Sequence, residues 1–308
     1  MGARGLQQKN DFSTGSIPLT ITRLALPMIG AQLVNATYNV VDRIYIGAIP
    51  GYGALPLTGV GLTYPLIALI TAFANLCGMG GAPLMSIARG EGRNEHAERI
   101  LGTAAALLLG LSAVLLVLGY LYMEPLLWMF GASESTIGYA TDYFSIYLVG
   151  TPFVLLTLGL NPFVTSQGFA RTGMMTILIG AVANILLDPL FIFVFNMGVR
   201  GAAIATVLSQ IASCGIGFAY MHRRYALLRF SLRELRMDLK TAGRILQVGA
   251  PMAIQQSIVS CGFLFLQRLV NLYGESMIAS YTVATRMENI LMIPILGVQN
   301  TMATFAGQ

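Results

Sequence analysis

The sequence predicts an all-α, polytopic transmembrane helical bundle, and three observations carry that expectation. Only 10% of the 308 residues are charged and 56% are hydrophobic, against about 25% charged in an ordinary soluble domain. Mean hydropathy is +0.71, so most of this surface must face lipid. Apolar runs of the roughly 20 residues that a helix needs to cross a bilayer recur along the chain. The loops between them alternate between basic and nearly base-free.

A polar tail at 1–18 has no apolar core of a signal peptide ahead of a cleavage site. Beyond it lie eight apolar runs, at about 19–46, 54–88, 101–123, 138–167, 172–195, 201–221, 242–272 and 277–308. The third contains no charge at all. Several exceed the minimum span, which implies tilt or extension beyond the lipid. One set of loops carries Arg89, Arg93 and Arg99, then Arg171, then the stretch HRRYALLRFSLRELRMDLK. The other set, GAIPGYG, EPLLWMFGASEST, NMGVRG and YGES, holds only Arg200. The positive-inside rule puts the first set and the N-terminus in the cytoplasm of a bacterial-type plasma membrane. Trp128, Tyr120 and Tyr122 then fall at the outer interface, where an aromatic belt belongs.

Basic residues clustered in loops account for the net charge of +5 without a nucleic-acid partner. Cys77, Cys214 and Cys261 all lie inside apolar runs, which argues against a disulfide framework or a zinc site. The basic linker at 222–241 separates a first six-helix lobe, 19–221, from the last two runs. Its Leu227, Leu228, Phe230, Leu232 and Leu235 fit a surface helix, and a solvated linker fits equally. Run seven (RILQVGAPMAIQQSIVSCG) echoes run one (RLALPMIGAQLVNATYNVV): each has Arg, an apolar stretch, Pro-Met and then Gln. Six spans separate the copies, so they share an orientation, as in a parallel repeat. The expectation is of parallel six-helix repeats, the first complete and the second partial at 242–308, with about four further spans missing.

Ionisable residues inside spans are costly and are functional candidates by default. Asp42 in run one and Asp188 in run five should lie at similar depth. Asn184 sits one helical turn before Asp188 and shares its face. Pro189 weakens the backbone ladder there and frees a carbonyl. Tyr38 and Asn39 neighbour Asp42. Carboxylates with amide and hydroxyl oxygens are the hard ligands that a proton or Na⁺ site needs. A structural account is also open: Asp42 can pair with Arg43, and Asp188 can satisfy a kinked helix. Asp142 reads as solvated near the outer interface. Arg268 can snorkel, and Arg286 and Glu288 can form an ion pair or line a cavity. Pro27 in run one is a bend point, either a hinge or a static kink. Gln32 and, beside Pro162, Asn161 are placed to reach a cavity.

No G-x-x-x-x-G-K-[ST], H-E-x-x-H or G-x-S-x-G motif occurs, and nothing in the sequence asks for an enzyme or a resident cofactor. The patterns LALPMIGAQLVNATYNVVDRIYIG and NILLDPLFIF, with GVRGAAIAT opening run six, GAPMAIQQS in run seven and R-M-E-N-I in run eight, resemble the multidrug and toxic compound extrusion (MATE) transporters. The resemblance runs from about residue 12 to the end. It implies twelve helices in two lobes and export of cationic amphipathic compounds in exchange for H⁺ or Na⁺, with no obligatory protein partner. It assigns Asp42, Asn184, Asp188 and Thr206 to a cation site, Tyr38 and Asn161 to its surroundings, and the first-helix bend to Pro27. Some members carry an acid in the seventh helix, where this chain has Gln255, Gln256 and Gln267. Two rival readings are a lipid-linked oligosaccharide flippase, disfavoured by the few buried bases, and a non-transporting scaffold or receptor subunit.

Alkaline phosphatase fused within 222–241 should stay inactive, whereas a fusion within 124–136 should be active. The reverse pattern would overturn the orientation.

Overall fold

The computed structural model describes residues 17–49, 54–167, 169–224 and 237–271, with scattered residues between 280 and 298. Among them are seven long helices and no strand. They are α1 (Ile17–Gly47), α2 (Leu55–Gly90), α3 (Asn94–Met129), α4 (Ile137–Ser166), α5 (Ala170–Pro189), α6 (Gly198–Arg224) and α7 (Leu239–Asn271). Among the described residues five spans, at 55–90, 94–129, 137–166, 171–194 and 198–217, are long and apolar enough to cross a membrane. Each coincides with a run expected from sequence, so the bundle is all-α and multi-pass.

The largest departure in boundary is α3, which begins at Asn94 rather than 101. Glu95, His96, Glu98 and Arg99 are helical although polar, because a helix extends past the lipid once its apolar part is fixed. Run eight lies mostly outside the described residues. So do the tail, the side chains of Gln256, Gln267, Arg268 and Arg286, and 225–236, which holds the candidate surface helix.

In lipid no hydrophobic force drives helices together, so contact depends on close packing of small residues. α4 is the centre, packed against α2, α3 and α6. A Cβ on Gly78 of α2 would meet the Gly159 carbonyl of α4 at 2.7 Å. The same device attaches α7 to α2. A Cβ on Gly249 would collide with the Leu76 carbonyl oxygen, and one on Gly80 with that of Ile245. The first half of α7 is held through buried Thr241, Ala242, Ile245 and Gly249, while Pro251, Met252, Ile254 and Ile258 are exposed. α1 packs chiefly on α5 and touches α2 and α6 only slightly.

Polar groups within the spans are largely absorbed locally. Thr71, Thr141 and Thr151 each donate to the carbonyl four residues back, a cheap way to hold a hydroxyl in a helix. At the basic end, Arg89 donates to Gln167, whose Nε2 donates to Ser86 at 3.3 Å, tying α2 to the end of α4. Asp238 caps α7 there, accepting from Lys240 N at 3.1 Å and Thr241 Oγ1 at 2.5 Å. The Thr241 hydroxyl above all holds its carboxyl below the ordinary carboxylate range. At the opposite end Asp142 departs from expectation: rather than being simply solvated, it accepts from Arg200 at 2.8 Å, joining α4 to α6. Solvent screens such an exposed pair, so it contributes little to stability. Trp128, Tyr120 and Tyr122 are exposed near that end, as an interfacial belt would be.

Gly249→Ala should destabilise the protein by about 1–3 kcal/mol or more, since its methyl meets backbone. Gly243→Ala, with nothing within 4 Å, should be neutral or stabilise by up to about 1 kcal/mol. Unfolding in detergent checks both, and equal effects would remove the close-crossing account.

Candidate functional site

Four helices converge near the end opposite the basic loops. α1 contributes Tyr38 and Asp42, α4 Tyr143 and Tyr147, α5 Asn184 and Asp188, and α6 Thr206. Asn184 and Asp188 stand one turn apart on α5 and are fully buried. Pro189 ends the α-helical ladder directly after Asp188. The chain continues as a π-helical turn, Leu190–Val194, in which Phe195 N donates to Leu190 O at 2.9 Å. A wide turn of this kind inside a helix often marks a functional position. Asn196, at φ 52°, and Gly198, at φ 56°, then reverse the chain into α6. Asn and Gly tolerate that left-handed backbone.

The reversal brings Thr206 back beside Asn184. Asn184 Nδ2 donates to Asp188 Oδ1 at 3.2 Å and to Thr206 Oγ1 at 3.3 Å. The Asp42 and Asp188 carboxyl groups face each other across the α1–α5 seam. Tyr38 is close to both, and Tyr143 lies beside Thr206. The Tyr143 and Tyr147 rings stack at 6.3 Å and wall the site from α4.

Three buried oxygens here have no hydrogen-bond partner in the protein: Asp42 Oδ1, Asn184 Oδ1 and Asp188 Oδ2. Buried polar atoms are nearly always satisfied, and leaving one unpaired costs about 1–3 kcal/mol. A carboxylate or amide oxygen can only accept, so a proton, a hard cation or a donating water each fits this set. The residues present therefore suit H⁺ or Na⁺. Among the described residues no group of three or more His, Cys, Asp or Glu side chains could hold a metal ion.

The residues predicted from sequence divide. Tyr38, Asp42, Asn184, Asp188 and Thr206 come together. Gln32 does not: it is exposed on α1, on the same helix surface as exposed Asn35 and Asn39. Nor does Asn161, whose Nδ2 donates to Gly173 O and to Thr176 Oγ1, both at 3.1 Å, at the basic end of α4. There it lines a separate cleft. Pro27 lies inside continuous α1, about 22 Å along the helix from Asp42. Tyr143 and Tyr147 are additions that sequence reasoning misses; their one-turn spacing in run four is the available signal.

Comparison with known proteins places the chain by family and fold. The profile of the family described as MatE matches residues 27–190. The chain is 26% identical over 300 residues to the probable multidrug resistance protein YpnP of Bacillus subtilis, covering 97% of this chain and 66% of that protein. It is 27% identical over 289 residues to the multidrug export protein MepA of Staphylococcus haemolyticus, covering 93% and 63%. A crystal structure of MATE in the bent conformation superposes with a TM-score of 0.85 at 28% identity, covering 94% of this chain and 65% of that one. The chain thus spans about two thirds of the length of these relatives.

Thr206→Val should lower stability by about 1 kcal/mol, since it removes one acceptor of the Asn184 amide. Thr206→Ser should lose less. Denaturant unfolding of the detergent-solubilised protein distinguishes them, and equal losses would assign Thr206 to packing alone.

Proposed function

The chain belongs to the MatE family, and from that premise we propose that the complete protein is a secondary antiporter exporting cationic amphipathic compounds in exchange for H⁺ or Na⁺. The observation that carries this reading is the meeting of Asp42 and Asp188 beside Asn184 and Thr206, with three acceptor oxygens left unpaired. A pair of facing carboxylates repels itself until a cation or proton enters between them. Loading therefore draws α1 toward α5, and unloading releases it.

Because α1 is attached to the lobe mainly through α5, its position responds to that change more readily than any other helix. Pro27, which removes a backbone hydrogen bond within α1, is the bend point for the response. The exposed Gln32, Asn35 and Asn39 lie on the moving helix, where a substrate between lobes would meet them. Ion and drug then compete through conformation. Each prefers a different state, and antiport results when the preferences differ by about 1–3 kcal/mol or more. The basic loops face the cytoplasm in this reading, and the site opens toward the outside.

The test is efflux of a cationic dye from a drug-sensitive bacterium expressing the complete reading frame, with and without Na⁺ at fixed pH. Efflux should depend on one of the two gradients. Na⁺ dependence identifies a sodium site, and dependence on the pH gradient alone identifies proton carriers. Asp42→Asn should reduce efflux to the level of cells without the protein while expression is unchanged. Efflux retained in that variant, or absent under either gradient in the parent, would overturn the reading.

A further inference from the structure

Below the carboxylate pair, the facing surfaces of α5 and α6 remain polar for most of the membrane's thickness. On α5 the sequence steps by single turns through Asp188, Asn184, Gly180 and Thr176. On α6 Thr206, Ser209, Gln210 and Ser213 fall on the matching face, at the spacing of one helical stripe. The stripes are in contact. Ser213 Oγ donates to Thr176 O at 2.6 Å, and a Cβ on Gly180 would lie 3.3 Å from Ser213 Cβ and 3.8 Å from Ser209 O. From Asp188 to Thr176 is about 18 Å along the helix, well over half of a hydrocarbon core about 30 Å thick.

The line ends in a cleft of about 30 Å³ between α4, α5 and α6 at the basic end. Its polar lining comes from Thr157, Asn161, Thr172, Thr176, Ser213 and Cys214. About 10–15 Å³ of such space holds one water molecule, so the cleft accommodates one or two.

Hydroxyls that merely glue helices together should all be satisfied, and several here are. Ser209 Oγ donates to Thr206 O at 2.7 Å, and Thr176 Oγ1 to Gly173 O at 2.7 Å. The exceptions point elsewhere. Among the described residues five buried side-chain atoms lack a hydrogen-bond partner, and three belong to the carboxylate site. The other two are Gln210 Oε1, one turn below Thr206, and Thr157 Oγ1 in the cleft. Thr157 has only the weak thiol of Cys214 beside it. All five therefore lie in the site, on the stripe or in the cleft, and all are oxygens able to accept from water.

We infer that the first lobe contains its own polar passage from the Asp42–Asp188 pair, between α5 and α6, to the basic end, and that the coupling ion leaves by it. The inference rests on the antiport reading. It separates the ion's exit from the drug's path between lobes. Gly180 is the narrow point, where a side chain would fill the gap between the stripes.

The experiment uses the complete protein reconstituted in vesicles, with Cys77, Cys261 and any further cysteine of the complete chain replaced by Ala so that Cys214 is the thiol probed. A charged, membrane-impermeant methanethiosulfonate reagent should modify Cys214 from the basic side at least tenfold faster than from the other. Gly180→Leu should keep ion binding in detergent but slow ion-driven dye transport at least tenfold. Should Gly180→Leu fail to fold, Ser213→Ala, which removes the hydroxyl without adding bulk, should slow transport to a similar degree. Cys214 untouched from the basic side in transporting vesicles, or full transport by a folded blocking variant, would overturn the passage. Asp188→Asn that still couples transport to the ion gradient would instead sink the antiport reading, and Cys214 labelling decides the passage independently.

Discussion

Everything in this lobe depends on how closely its backbones approach one another. Lipid surrounds apolar side chains as comfortably as a neighbouring helix does, so burial of apolar surface contributes little to helix association. Van der Waals contact must supply it, and that contact is greatest where side chains are absent. Gly78 lies against Gly159 between α2 and α4, and Gly80 against Gly249 between α2 and α7. Gly150 of α4 receives Val207 of α6 in the same manner, with its Cβ position 2.5 Å from a valine methyl. The result is a rigid frame of α2, α3, α4 and α6.

α1 stands outside that frame. It meets the rest mainly along α5, and the Asp42–Asp188 approach lies on that seam. A repulsive pair placed between two frame helices would only strain the frame. Placed at the seam of the least attached helix, it acts on a part that can move. On the proposed antiport reading, unpaired oxygens that would be a defect in a purely structural protein become a difference in energy between loaded and unloaded states. The first half of α7 joins the same frame through Ile245 and Gly249.

Much of this is legible in the sequence, for physical reasons. A span is legible because its length and composition are set by the bilayer, independently of its neighbours. Asp42 and Asp188 are legible because an acid in such a span is expensive wherever it points, and Asn184 because one helical turn fixes its phase relative to Asp188. Thr206 comes only from family resemblance, since a threonine in a span is otherwise unremarked. Facts that depend on helix rotation stay hidden. In α4 the aromatic residues Tyr139, Tyr143, Phe144 and Tyr147 leave no clear polar face, so the two that wall the site cannot be chosen from sequence. Asn161, placed by its sequence to reach the substrate cavity, instead lines a cleft on the far side of the same lobe. The Asp142–Arg200 pair joins residues on different helices, and the polar first turns of α3 are masked by any measure based on hydropathy.

The arrangement also constrains how such a site avoids leaking. A carboxylate pair near one face of the membrane, joined by a polar stripe to a cleft at the other, would short-circuit any ion gradient if both ends were open together. Two features keep the ends apart. At the upper end Tyr38, Tyr143 and Tyr147 surround the acids with bulk that yields only when α1 moves. Below, the stripe is polar but closely packed, with only the 3.3 Å approach at Gly180 and the hydroxyl–carbonyl contacts of Ser213 and Thr176. Water could enter there only if α5 and α6 separated slightly. On the proposed reading, the movement that loads the acids from above involves α1 against α5, and the one that empties them below involves α5 against α6. Since α5 is common to both seams, tightening one can loosen the other. A single helix bearing Asn184 and Asp188 would then suffice to make the two openings alternate.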